Sequence, residues 1–332
     1  MSHSTTNTRT ALVAVLIALA SALFFTLTYV LNRATATEGG HWAWTASLRY
    51  LITLPLMIPL MRGRLRPLWA AMCAHPIAWL GYSALGFVLF YMLMAYAADS
   101  GPAWLVAGSF QFTVIAGMLC APFLYRDARR KVPLAAWGVG LLILAGVMLM
   151  QFSHADGGLD RAAWVALACV LGSAILYPLG NRLLLLHLER TGEQLDATQR
   201  VFGMTLASQP WWLLVAMYAF SQAGTPSASQ VWMAAGVALS AGVIATILFF
   251  KATGLVRDNP TALAAAEAMQ AAELIFASIL GVFFLHEAWP QGGALVGSTM
   301  IVVGILLFAW VAARSHLNDP REVQAMRTEQ SP

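Results

Sequence analysis

The sequence predicts an all-α integral membrane protein of ten transmembrane helices, arranged as two inverted five-helix repeats. Three observations predict it. Only 10% of the 332 residues are charged against 59% hydrophobic, whereas soluble domains carry roughly 25% charged residues to cover a wet surface. The apolar residues fall in blocks of about 20, the length that crosses hydrocarbon as a helix. Basic residues collect in the even-numbered connections, the positive-inside pattern. A membrane barrel would alternate in period 2, and runs such as Leu141–Met150 and Thr299–Trp310 do not.

The first span is 11–32. Only Arg9 is basic before it, and its apolar run exceeds the roughly 7–15 residues of a signal sequence. It reads as a retained helix, although Ala34-Thr35-Ala36 resembles a cleavage site. The second, 43–61, lies between Trp42 and the cluster Arg62, Arg64 and Arg66. The third is 77–98. Pro102 opens the fourth, 103–125, and Arg126, Arg129, Arg130 and Lys131 follow it. The fifth is 133–151 and the sixth 162–186, the latter set between Arg161 and Arg190. The seventh, 200–220, carries Pro210, Trp211 and Trp212. The eighth, 229–250, stops before Lys251, the ninth is 261–284, and the tenth, 289–313, runs from Trp289 to Arg314. Ten other tryptophans stand near predicted ends, where amphipathic rings prefer to sit; Trp211 and Trp212 do not.

The charge pattern puts both termini, 1–10 and 314–332, in the cytoplasm, around repeats at 11–151 and 152–313. A multi-pass protein of the bacterial inner membrane is expected. The net charge of +4 is then an orientation signal, and no nucleic-acid partner is expected. Cys73, Cys120 and Cys169 have neither metal-ligand nor disulfide spacing and read as small packing residues.

The two halves match in order. Tyr29-Val30-Leu31-Asn32-Arg33 closes the first span, and Tyr177-Pro178-Leu179-Gly180-Asn181-Arg182 closes the sixth. Arg49 opens the second much as Arg200 opens the seventh. Pro102 and Pro260 begin the fourth and ninth, which leave at Tyr125-Arg126-Asp127 and His286-Glu287. Gly146-Val147 and Gly304-Ile305 sit at matching depth in the fifth and tenth. Five spans per copy is odd, so the second copy enters from the opposite side. Inverted repeats are a hallmark of secondary transporters, with the site near the midplane between copies.

Ten spans in this arrangement, small-residue fourth and ninth spans and an acidic residue closing each resemble the drug/metabolite transporter superfamily, EamA-like, over roughly residues 11–313. The ninth span, Glu267-Ala-Met-Gln-Ala-Ala-Glu273-Leu-Ile-Phe276, departs from the common EamA-type repeat. It carries Glu273 about where a proline usually stands. This version is similar to the multidrug resistance efflux transporter branch. The resemblance implies a small-molecule solute as partner.

Glu267, Gln270 and Glu273 fall within an arc of about 120° on a regular helix. Both acids lie within hydrocarbon about 30 Å thick. Buried ionisable residues are costly and usually mark an ion or substrate path. Loss of hydration favours the neutral carboxyl, which suits a group that exchanges a proton for a cationic solute. The plainer reading is an ion pair with Lys251, Arg49 or Arg200. Arg49 and Arg200 themselves fit an anion site, a counter-ion to the ninth span, or snorkelling to headgroups. Tyr29, Phe90, Tyr91, Tyr177, Trp211 and Trp212 are candidates for a cation–π wall, or for packing. Asn32 and Asn181 line a path or bond between helices. Ala264, Ala268 and Ala272, and the GxxxG of Gly293 and Gly297, allow close helix packing and a possible dimer face; monomer and homodimer both remain open.

No enzyme constellation is found: GxSxG, P-loop, HExxH and cysteine clusters are all absent from the sequence. The function expected is secondary transport driven by the proton gradient, with no cofactor. Efflux of cationic or lipophilic compounds leads, and a neutral or zwitterionic metabolite such as an amino acid is the alternative. A non-transporting scaffold or receptor would have no need of an inverted repeat. If both ends are cytoplasmic, a fluorescent protein fused at residue 332 glows in a bacterial host while alkaline phosphatase fused there stays inactive; the opposite pair of results reverses the orientation.

Overall fold

Inside a bilayer no water is at hand for backbone N–H and C=O groups, so each must be paired within its own helix. The computed structural model describes residues 2–99, 101–126, 134–155, 160–256, 265–266 and 268–317. Among them there are helices and no strand. Glu267, Pro260, Ala264 and Asp127 lie outside these residues, as do Arg129, Arg130, Lys131, Arg257, Arg321 and Arg327.

The chain begins with α1 (Ser2–Thr37) and α2 (Trp42–Met57), the latter running through Pro55 into a 3₁₀ turn, Ile58–Met61. A short helix, α3 (Leu65–Ala74), buries Leu68 and Ala71 and exposes Trp69. The sequence reading treated it as a connection, because ten residues are too few to span. Next, α4 (Pro76–Ser83) continues through a π-helical segment, Ala84–Leu89, into α5 (Phe90–Ala97). After α6 (Ala103–Phe110) the chain breaks at Gln111 and Phe112 before α7 (Thr113–Leu119) and α8 (Ala121–Leu124). Then come α9 (Leu134–His154), α10 (Arg161–Thr191) and α11 (Ala197–Ala223). A second π-helical segment, Ala238–Ala245, joins α12 (Ala228–Val237) to α13 (Thr246–Leu255). A 3₁₀ turn, Met269–Ala271, leads into α14 (Ala272–Leu285), and α15 (Gly292–Leu317) follows.

Among the described residues, six helical stretches are long and apolar enough to cross a membrane: Thr10–Thr37, Pro76–Ala97, Trp137–His154, Arg161–Thr191, Ala228–Leu255 and Gly292–Trp310. The chain is therefore a multi-pass membrane protein. Ala103–Ala116 and Met269–Leu285 are shorter apolar helices, and α2 and α11 coincide with the second and seventh expected spans.

Helix starts follow local chemistry. Asp160 accepts from the Ala163 N–H at 2.7 Å to begin α10. Asp196 and Gln199 form a reciprocal capping box on α11, and Ser227 accepts from the Gln230 N–H at α12. Such caps satisfy N–H groups that the helix itself leaves unpaired. At the other end of α10, Gly192 stops the helix in the left-handed conformation, φ 74°.

Close packing rests on missing side chains. A Cβ on Gly297 would stand 2.5 Å from the Gly146 carbonyl, and one on Gly146 would stand 2.8 Å from that of Gly297, so α9 and α15 meet backbone to backbone. Gly86 and Gly180 do the same for the π-helical segment Ala84–Leu89 and α10. The GxxxG thus faces α9 within the chain. Replacing Gly297 with leucine forces these helices apart, and overpacking costs about 1–3 kcal/mol. The variant should melt several degrees below the parent in detergent, whereas Gly254→Leu, which meets nothing within 4 Å, should leave the melting temperature unchanged.

Candidate functional site

Glu273 stands in the first turn of α14, immediately after the 3₁₀ turn, and is only 6% exposed. The Tyr29 hydroxyl donates to its Oε2 at 2.9 Å, and the Gln111 side chain supplies a second hydrogen bond to the carboxyl. Tyr29 comes from the C-terminal third of α1, and Gln111 from the break between α6 and α7. Three helices therefore converge on one acid. Glu273 has no ion-pair partner among the described residues; those present join Arg33 to Glu287 and Arg64 to Asp196. Its helix is interrupted on the side where Gln270 lies, and the Gln270 Nε2 is buried without a partner. Glu267 cannot be placed beside it, being outside the described residues.

Arg49 is the other charge in this region. It is 9% exposed, and its guanidinium carbon lies 3.9 Å from the Tyr91 ring centroid and 5.1 Å from that of Tyr50. Its Nε and Nη1 have no hydrogen-bond acceptor. Tyr91 donates to Asn32 Oδ1 at 3.0 Å, leaving Asn32 Nδ2 unpaired. Arg49 and Glu273 do not pair with each other, yet Tyr29 and Tyr177 each lie within electrostatic range of both.

Rings join the two charges. Tyr29 leads through Phe110 at 6.3 Å to Phe90 at 5.8 Å, and Phe90 touches Tyr177 at 4.9 Å and Tyr91 at 5.8 Å. Tyr91 meets Tyr50 edge-on at 5.5 Å, and Tyr50 stacks flat on Trp212 at 4.8 Å. Tyr177, on α10, is 39% exposed and brings the cluster to the surface there.

The structure thus brings together Tyr29, Arg49, Tyr91, Tyr177, Gln270 and Glu273. Arg200 stands apart, in the first turn of α11, its Nη1 reaching the Leu195 carbonyl at 3.4 Å. Trp211 is 39% exposed and donates to the Leu80 carbonyl at 3.3 Å, while Trp212 is fully buried and donates to Ser208 at 3.0 Å. Lys251 is exposed. Gln111 and Tyr50 were not singled out in the sequence. A signal for Gln111 exists: it follows Pro102 by nine residues, as Gln270 follows Pro260 by ten.

A second polar knot ties the ends of the bundle. Both Glu287 oxygens accept from the Ala103 N–H at the start of α6, at 2.9 and 3.0 Å, and Arg33 Nε approaches at 3.7 Å. Arg33 also donates to the Ala98 and Asp99 carbonyls. Burial pushes the Glu287 carboxyl up, opposed by the Ala103 N–H and by Arg33. Gly281 leaves room for it, since a Cβ there would strike Glu287 Oε2. Among the described residues no cluster of side chains could hold a metal.

The packing predicts a contrast between adjacent tryptophans. Trp212→Ala should destabilise the protein by about 3–5 kcal/mol, the usual cost of emptying a core aromatic site, and Trp211→Ala by clearly less. Thermal melts in detergent check this, and equal losses would contradict the assigned faces.

Comparison with known proteins places the chain. The family model described as "EmrE: Putative multidrug resistance efflux transporter" matches residues 12–314. "Uncharacterized protein YjlA" of Bacillus subtilis (strain 168) is 41% identical over 310 residues, covering 90% of this chain and 95% of the relative. An uncharacterized 42.1 kDa protein of Shouchella clausii is 37% identical over 268 residues, covering 78% and 70%. A crystal structure superposes with a TM-score of 0.60 at 17% identity, over 92% of this chain and 99% of the other, a likeness of fold. The chain belongs to this EmrE family.

Proposed function

From membership of that family of membrane transporters, we propose that the chain is a proton-coupled secondary transporter that exports a small solute bearing a cationic group across the inner membrane. The observation that carries this reading is Glu273, a buried carboxyl with no ion-pair partner among the described residues, held by Tyr29 and Gln111. An acid at such depth costs about 2.5–3.5 kcal/mol on insertion scales, and a purely structural acid is normally offset by a base. Here the two nearest supports are neutral hydrogen-bonding groups. They hold the carboxyl in place whether it carries a proton or faces a cation.

The exchange is then simple. With its proton, Glu273 is neutral and Tyr29 donates to one oxygen. A cationic group arriving from the cytoplasmic side takes the proton's place, and the proton leaves. After the site turns outward, a proton returns and the solute departs. The aromatic rings from Tyr29 to Trp212 supply a wall for the apolar body of the solute, and π faces also attract cations.

Ten spans in two inverted copies, with both termini cytoplasmic, would give this exchange its two faces. Paired irregularities support that arrangement. The π-helical segments Ala84–Leu89 and Ala238–Ala245 fall in the third and eighth expected spans, and the breaks at Gln111–Phe112 and Met269–Ala271 in the fourth and ninth. Transporters commonly place interrupted helices at the binding site, at corresponding positions of the two copies. π segments too are frequent at functional sites.

In proteoliposomes with an imposed pH gradient, a cationic dye such as ethidium should be carried by the parent protein. Glu273→Gln should bring pH-driven flux down to that of empty liposomes, and Tyr29→Phe should weaken it. Full pH-driven flux in Glu273→Gln would remove Glu273 from the coupling role.

A further inference from the structure

We infer that Glu287, with Arg33 and the Ala103 N–H, is a latch that shuts the solute path at one end of the protein, opening and reclosing in each transport cycle. This rests on the transporter reading above and adds to it the residues that close the site on that side.

The latch sits across the ends of the three elements that build the site. Arg33 lies one turn before the end of α1, Ala103 is the first residue of α6, and Glu287 follows α14. The same elements bring Tyr29, Gln111 and Glu273 together. Gln111 comes eight residues after Ala103, which puts the latch about 12 Å beyond the acid at 1.5 Å per residue. Glu287 reaches that level because the chain turns back on itself. His286 adopts the left-handed conformation, φ 54°, and the Glu287 N–H returns to the Gly281 carbonyl at 3.1 Å. A solute leaving Glu273 toward this end therefore meets the three ends that the latch ties together.

The contacts here are of an exchangeable kind. Elsewhere α9 and α15 meet backbone to backbone through Gly146 and Gly297, packing that cannot part without opening a void. At the latch, both Glu287 oxygens share one N–H, that of Ala103, at 2.9 and 3.0 Å. Arg33 Nε stands 3.7 Å from Oε1, beyond the usual hydrogen-bond length. Its Nη1 goes instead to the Ala98 and Asp99 carbonyls, at 3.2 and 3.0 Å. Trp104 adds one bond to the Ala288 carbonyl at 3.2 Å. The Arg33 side chain is 22% exposed, so water can replace these bonds as they break. A charged pair that water rehydrates has a small net worth. Such a contact makes a poor permanent tie and a good reversible one.

Connectivity gives the latch its role. α1 and α6 come from the first half of the chain and α14 from the second. Transporters built of two copies open to alternate sides by rocking one copy against the other around a fixed site. A bond between the halves at one end then holds while that side is shut and breaks when it opens. Glu287 and Arg33 form such a bond, and the structure shows it made.

The test uses the full-length protein carrying Cys73→Ser, Cys120→Ser and Cys169→Ser. Nitroxide labels on Thr37→Cys and Ala288→Cys, both exposed positions at this end, report the separation of α1 from the end of α14. Pulsed dipolar spectra in lipid nanodiscs should show two separations. Glu287→Ala should move the balance toward the longer one by about tenfold, the usual worth of a charge-assisted hydrogen bond. Arg33→Met should move it the same way by less. A single separation in the labelled parent, or the same balance in the parent and in Glu287→Ala, would overturn the latch and make Glu287 a fixed tie. A second arm reads flux in proteoliposomes. Arg33→Cys with Glu287→Cys should carry ethidium along a pH gradient, stop when bridged by a bis-methanethiosulfonate, and resume when the bridge is reduced. Full flux through the bridged protein would equally overturn the proposal. Failure of the transporter reading looks different: Glu273→Gln would keep full pH-driven flux while the two separations persist.

Discussion

The hydrogen bond from Tyr29 to Glu273 is the contact on which the site depends. It joins α1 to α14 in the buried interior of the protein. An ionisable group there is tolerated only when protein atoms stand in for the missing solvent. Tyr29 and Gln111 do this for Glu273 without adding positive charge. No arginine or lysine among the described residues pairs with it, which is why the proposed exchange places a proton or a cation there. Had Arg49 closed on it, both charges would have been neutralised within the protein and neither would have been left to recognise a solute.

The rest of the fold keeps that contact possible. A regular helix satisfies its own backbone and presents only side chains. Where the chain departs from that regularity, at Gln111–Phe112 and at Met269–Ala271, it does so beside the acid. Such departures are tolerated at membrane depth only inside protein, and both lie in the interior here. Around them, glycine contacts between α9 and α15 and between the π-helical segment Ala84–Leu89 and α10 hold the bundle without hydrophobic driving force, which lipid cannot provide. At one end Glu287 ties the start of α6, the end of α14 and the end of α1 into a single knot. Those are the elements that carry Gln111, Glu273 and Tyr29.

Much of this was legible in the sequence because lipid makes the demands explicit. Long apolar runs, charge asymmetry between connections and an acid within a small-residue span are all readable without coordinates. Tyr29, Arg49, Tyr91, Tyr177, Gln270 and Glu273 were named as candidates, with packing, snorkelling or an ion pair as their plainer readings, and the structure places them in one region. Other features were hidden for definable reasons. Periodicity cannot say which of two adjacent tryptophans faces inward, and it is Trp212, stacked on Tyr50, that does. The repeat made Arg49 and Arg200 look equivalent, whereas one lies on Tyr91 in the core and the other beside a helix cap. The π segments and the 3₁₀ turn carry no composition of their own. A regular helix was assumed where the chain is irregular, so the angular spacing of Gln270 and Glu273 was read on the wrong geometry. Glu287 was noted as a closing acid, but its partners come from residues 33 and 103, far apart in sequence.

The central claim is that Glu273 gives up a proton when solute binds. The direct measurement is proton release from purified protein in lightly buffered detergent, followed with a pH-sensitive dye as a transported solute is added. The account predicts about one proton released per solute bound by the parent protein, and none by Glu273→Gln at the same occupancy. Equal release from the two proteins, or binding by the parent with no release at all, would contradict it.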